Sequence, residues 1–154
     1  IAFLAWAREA AIKAGRTEEA ERLRARARRL TAGASGQSGG VRFVVTWAHP
    51  ELRPSLWTSS LGALMPAPDN FPLFGAAEAS LSESPAPVIE LRLEAEDAAR
   101  AARLGVRATV TALVAEGTPA ERLTRLDVGF GRVGAAEERV KVTFENGALR
   151  KVAP

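Results

Sequence analysis

The stretch Val41–Trp47, VRFVVTW, constrains the fold of this chain more than any other. Val41, Phe43, Val45 and Trp47 fall on one side, and Arg42, Val44 and Thr46 on the other. That is the period of a half-buried β-strand, and its phase assigns Trp47 to a core. A basic, helical segment precedes it and strand-like runs follow it.

The chain has 154 residues, 47% hydrophobic and 25% charged. That suits one ordinary globular domain, or a small domain with an appendage. It opens at Ile1 without Met, so an excerpt of a longer or processed protein is expected, and a missing leader carries no weight. No run reaches the ~18 apolar residues that a membrane-spanning helix needs. Cysteine is absent. Disulfides, thiolate nucleophiles and Cys-ligated zinc are thereby excluded, while the compartment stays open. The Ala, Arg and Leu usage resembles that of a GC-rich bacterial genome.

Net charge is +3 and unevenly placed. Residues 1–33 carry eight Lys/Arg against four Asp/Glu, and residues 34–154 carry thirteen against fourteen. The second part therefore has no electrostatic bias toward nucleic acid.

Residues 1–32 predict two helices. In Ile1–Ala14, Phe3, Leu4, Ala7, Ala10 and Ala11 form a helical stripe, and Gly15 suits the position just past a helix end. Thr17 is expected to cap the second helix, with Glu18 and Glu19 in the turn where the helix dipole favours carboxylates. Ala20, Leu23, Ala27 and Leu30 make its narrow apolar stripe, and five arginines between Arg22 and Arg29 fill the rest.

Leu4, Ala11, Ala14-Gly15-Arg16-Thr17-Glu18-Glu19-Ala20, Ala27 and Leu30 together resemble a tetratricopeptide-repeat hairpin. The resemblance covers about one repeat unit. One unit cannot bury its own faces, so the resemblance implies the last unit of an upstream array or a capping hairpin. Residues 31–40, TAGASGQSGG, form a Gly/Ser-rich boundary. The expected division is therefore 1–32 helical hairpin, 33–40 linker and 41–154 β domain.

Beyond the linker the period is two. Strands are expected at Val41–Trp47, Ser55–Ser60, Leu73–Ala79 with a bulge at Gly75, Val88–Glu94, Val106–Ala115, Arg122–Phe130 and Glu137–Glu145. Leu61–Asn70 reads as a long Pro-rich loop. Ala95–Leu104 predicts a short helix ended by Gly105. Asn146-Gly147 predicts a tight hairpin that sets Phe144 opposite Leu149. Seven or eight short strands with one helix predict a mainly β fold, an antiparallel immunoglobulin-like sandwich. Val44-Val45-Thr46-Trp47, Leu56, Gly75 and Val88–Leu93 also resemble an uncharacterised β-sandwich domain at the end of some bacterial tetratricopeptide-repeat and von Willebrand-type proteins. Those domains often carry an acidic D-x-D-L segment where this chain has Arg53-Pro54-Ser55-Leu56, so no acidic site is carried over.

Catalytic motifs are weak. His49 is the single histidine, and His49-Pro50-Glu51 reads as a strand-end element rather than a base, with no nucleophile elbow in the chain. Asp69-Asn70 is too few oxygens for calcium and reads as an Asx-turn. Gly129-x-Gly131-x-x-Gly134 spells a phosphate-loop pattern, but an alternating strand follows where that motif needs a helix. The arginines of the second helix lack interleaved aromatics and read as a solvated face. Trp57, followed by a long loop, reads either as a simple packing residue or as the anchor of a partner or ligand surface.

The sequence therefore predicts a non-catalytic protein–protein interaction or scaffold module, with no cofactor and no metal. Its partners are other proteins of a complex, and nucleic acid is not expected. Placement in a bacterial envelope or periplasm rests on resemblance alone, and composition is equally compatible with the cytoplasm. The expected surface is Trp57, Leu61, Leu64, Met65 and Phe71. The alternative is a carbohydrate- or small-ligand-binding sandwich using Trp57 and the 61–71 loop.

Overall fold

A computed structural model describes residues 2–31, 40–49, 51–59, 63–67, 75–81, 86–115, 120–129, 134 and 137–153, without the side chains of 2, 3, 5 and 27–31. The proposed linker, 33–40, lies outside this set except for Gly40.

The chain opens with α1 (Ala2–Lys13) and α2 (Thr17–Thr31). Gly15 ends α1 with φ of +70°. The Arg16 amide donates to the Ala11 carbonyl at 2.8 Å, and the Gly15 amide to that of Ile12 at 3.0 Å, which satisfies carbonyls the helix end would leave unpaired. The Ala20 amide donates to the Arg16 carbonyl at 3.1 Å. Arg16 is thus the N-cap and Thr17 the first helical residue, one position from the sequence expectation, and only Ala14, Gly15 and Arg16 separate the two helices. Leu4, Ala11 and Ala20 are buried in this hairpin.

The rest is mainly β. Among the described residues nine strands form two antiparallel sheets. Sheet A holds β4 (Ala76–Leu81), β1 (Val41–Trp47), β6 (Arg107–Val114) and β7 (Arg122–Gly129), in that order. Sheet B holds β3 (Met65–Pro66), β2 (Ser55–Ser59), β5 (Val88–Glu94), β8 (Glu137–Glu145) and β9 (Ala148–Lys151). The ninth strand is β3. It falls in the stretch expected to be a loop, where Met65 and Pro66 pair with Thr58 and Trp57. Gly75, the expected irregular position, has a φ of +77°. Its carbonyl accepts from the Trp47 amide at 2.8 Å, and β4 begins one residue later.

One apolar cluster takes residues from both sheets. Phe43, Val45 and Val110 come from sheet A, and Leu56, Ile89, Leu91, Val140 and Val142 from sheet B. Phe43 and Phe144 meet edge-to-face, with centroids 6.5 Å apart. Each such fully buried aliphatic or aromatic side chain stabilises the fold by about 1.5–3 kcal/mol. Trp47 is buried as its phase requires, and its indole N–H donates to the Leu52 carbonyl at 3.2 Å. The helix α3 (Ala95–Leu104) buries Ala98 and Ala101 in the same cluster and ends at Gly105 with φ of +62°. Asn146 and Gly147 both have positive φ, and Phe144 faces Leu149, as the hairpin signature predicts.

The outer face of sheet A is apolar at its centre. Val44 and Leu113 are buried there, and Trp6 of α1 packs on them beside Leu123. Arg8 of α1 makes an ion pair with Glu121, and the two side chains are only 14% and 4% exposed. Glu9 pairs with Arg125 at 3.3 Å. α1 therefore covers sheet A on the side opposite the shared core. Among the described residues no helix is long and apolar enough to cross a membrane.

Candidate functional site

The outer face of sheet B carries the candidate surface. Alternation along β5 turns Ile89, Leu91 and Leu93 inward and Glu90 and Arg92 outward. Register sets Trp57 beside Glu90, and Glu90 beside Lys141. Diagonally, the Arg92 guanidinium lies over the Trp57 ring, 3.6 Å from its centroid. Such a stack contributes about 0.5–2 kcal/mol, depending on how far it is desolvated.

Glu90 holds this arrangement in place. Its carboxylate accepts from Arg92 Nε at 2.6 Å and lies 3.7 Å from Lys141 Nζ. Although Glu90 sits on an outer face, it is only 3% exposed. Arg92 and Lys141 supply the opposite charge beside this covered carboxylate. The Trp57 indole N–H donates to Ser55 Oγ at 3.1 Å. The ring is thus fixed at its edge by Ser55 and on one face by Arg92. An ion pair between Arg139 and Glu137 at 2.7 Å continues the face along β8, and it holds the Arg139 guanidinium above its ordinary pKa.

Of the expected surface, Trp57 is half-buried, Leu64 is half-buried and Met65 is 66% exposed. Leu61 and Phe71 lie outside the described residues. The register partner of Trp57 is Pro66, whereas Met65 stands opposite the inward-facing Thr58. Glu90, Arg92 and Lys141 were not singled out in the sequence. The outward phase of Glu90 and Arg92 was visible there, but their neighbour across the sheet was not.

The other motifs resolve locally. His49 Nδ1 lies 3.1 Å from Glu51 Oε1, both side chains being solvent-accessible. The Glu51 carboxyl is held below its ordinary pKa, first by its own backbone hydrogen bond; desolvation is the next largest effect and opposes this, and His49 and Arg100 each add a smaller lowering effect. Asp69-Asn70 and Gly131 lie outside the described residues. After Gly134 the next element is β8, a strand, so the glycine pattern does not open a helix. Along α2, Arg22 pairs with Glu18 at 3.9 Å and Arg24 with Glu21 at 3.3 Å, and in the turn Arg16 pairs with Glu19 at 2.7 Å. These cations are neutralised within their own segment.

No protein-family model, curated protein or solved structure matches the chain.

Proposed function

We propose that this chain is a non-catalytic protein–protein interaction module, an immunoglobulin-like β-sandwich carrying a tetratricopeptide-like hairpin, that works within a bacterial envelope assembly. The observation that carries this reading is the Trp57–Arg92–Glu90 arrangement. Trp and Arg dominate interface hot spots, and side chains fixed before binding lose less entropy on association. Met65, 66% exposed, stands next in chain to the Pro66 that neighbours Trp57. The sandwich reading is supported by two antiparallel sheets sharing one core around a buried Trp47. The repeat reading is supported by the small buried residues Ala11 and Ala20 on either side of a glycine turn. The envelope placement rests on sequence resemblance.

Between protein and carbohydrate as the ligand of Trp57, the geometry favours protein. Arg92 already occupies one face of the ring, and the charged Glu90 and Lys141 beside it are groups that complementary protein side chains pair with. A photo-crosslinking residue at position 66, the register partner of Trp57, introduced in the native host, tests the proposal. The expected result is a discrete protein adduct that disappears with Trp57→Ala and weakens with Arg92→Ala. An adduct indifferent to both changes, or binding of the chain to an arrayed glycan that requires Trp57, contradicts it.

A further inference from the structure

We propose that the groove between α1 and the outer face of sheet A binds a small, neutral, polyhydroxylated ligand about the size of one sugar ring. The groove is lined by Trp6, Ala7, Thr46, Thr109 and Arg125 and has a volume of ≈ 460 Å³. Small-molecule sites fall at roughly 300–1,000 Å³. It is separate from the Trp57 surface, which lies on the other sheet.

Register explains why polar groups gather here. One row across the outer face of sheet A reads Ala76, Thr46, Thr109, Asp127. The next reads Glu78, Val44, Thr111, Arg125. Trp6 covers the apolar centre of this face beside Val44 and Leu113. The hydroxyl row is left as the groove floor.

The polar groups are already oriented. The Thr109 hydroxyl donates to Asp127 Oδ1 at 2.7 Å, so its oxygen is presented as an acceptor. Arg125 is tethered by Glu9 at 3.3 Å and stands 5.6 Å from the centre of the Trp6 ring. It keeps 43% of its side chain exposed. The wall carrying Trp6 is itself pinned by the Arg8–Glu121 ion pair.

Charge selects the class of ligand. An anion entering beside Arg125 meets Glu9 and Asp127, and a cation beside Asp127 meets Arg125. A neutral ligand meets neither penalty. Hydroxyl groups both donate and accept, matching a guanidinium, a carboxylate and threonine oxygens. The Trp6 ring supplies an apolar wall for the carbon face of such a molecule.

The test is a titration of the ¹⁵N-labelled 154-residue chain with D-glucose, D-galactose, D-mannose and myo-inositol, and with D-glucuronate and D-glucosamine as charged analogues. At least one neutral probe is expected to shift the Trp6 indole signal and the Thr109 and Arg125 amides, with a millimolar Kd. Its charged analogues bind at least about threefold more weakly. Thr109→Val weakens binding by about five- to tenfold while the Trp47 and Trp57 indole signals stay in place. If that variant fails to fold, Ala7→Leu, which fills the groove from the helix side, is expected to abolish the shifts. No shift at Trp6 up to about 50 mM of any neutral probe overturns the proposal. So do shifts centred on Trp57, or binding indifferent to Ala7→Leu.

Discussion

The two outer faces of the molecule are built on similar antiparallel ladders and meet opposite fates. On sheet A the central outward residues are Val44, Thr111 and Leu113, all buried beneath α1. On sheet B they are Glu90, Arg92 and Lys141, charged groups paired with one another. Glu90 is nonetheless only 3% exposed. Burial on sheet A comes from a helix packed on aliphatic side chains. On sheet B it comes from a carboxylate wrapped by its own neighbours. The first face has its apolar centre covered by α1, which leaves only the polar row of Thr46 and Thr109 beside it open. The second keeps an aromatic and a guanidinium at the surface, already ordered, which is the property an interface needs.

Removing residues 1–40 should have the largest effect. It uncovers Val44, Leu113 and Leu123 and strips Glu121 of Arg8. Urea unfolding of residues 41–154 should show a loss of about 4–6 kcal/mol relative to the whole chain. An unchanged stability would mean that α1 is not the cover of sheet A.

The Arg8–Glu121 pair is the next largest. Glu121→Ala leaves a guanidinium beneath the interface without its carboxylate and should cost about 2–4 kcal/mol. The double variant Arg8→Met with Glu121→Met should recover much of that, since it removes both charges together. Equal losses in the single and double variants would assign the pair a purely steric role.

On the open face, Arg92→Ala removes the cation over Trp57 and leaves Glu90 with Lys141 alone. A loss of about 1–3 kcal/mol is expected, with a change in Trp57 fluorescence. Arg92→Ala with no effect on either would mean the face is not pre-ordered.

The smallest effect belongs to Glu51, which lies on neither face. Its folded pKa is depressed, so it contributes stability above the unfolded carboxyl pKa. That contribution is lost as pH falls through the folded value. By NMR titration Glu51 should ionise below a free glutamate, and His49→Gln should reverse only the lesser part of the shift, because the residue's own backbone hydrogen bond is the larger cause.

The parts of this fold legible in the sequence are those set by local chemistry. β1, β5 and β8 have the bounds their alternation predicts, α3 ends at its glycine, and Asn146-Gly147 makes the hairpin. The two-residue strand β3 was hidden, because Met65-Pro66 has no period to detect and its pairing depends on Trp57. Gly75 signalled a backbone irregularity, which its positive φ bears out, but not where β4 begins. The candidate site was half legible. Trp57 stood out by residue type, but Arg92 and Lys141 reach it only through register between strands far apart in the chain. The cover on sheet A left one local sign, a valine on the outward phase of β1. Val44 breaks the polar alternation because that strand is buried on both faces.

Because the chain has no cysteine, single introduced thiols report the contrast between the faces directly. Val44→Cys and Arg139→Cys place one thiol on each outer face, and maleimide labelling of the folded chain compares them. The account predicts rapid labelling at position 139 and strong protection at position 44, the latter lost when residues 1–40 are removed. Equal labelling at both positions in the whole chain would contradict it.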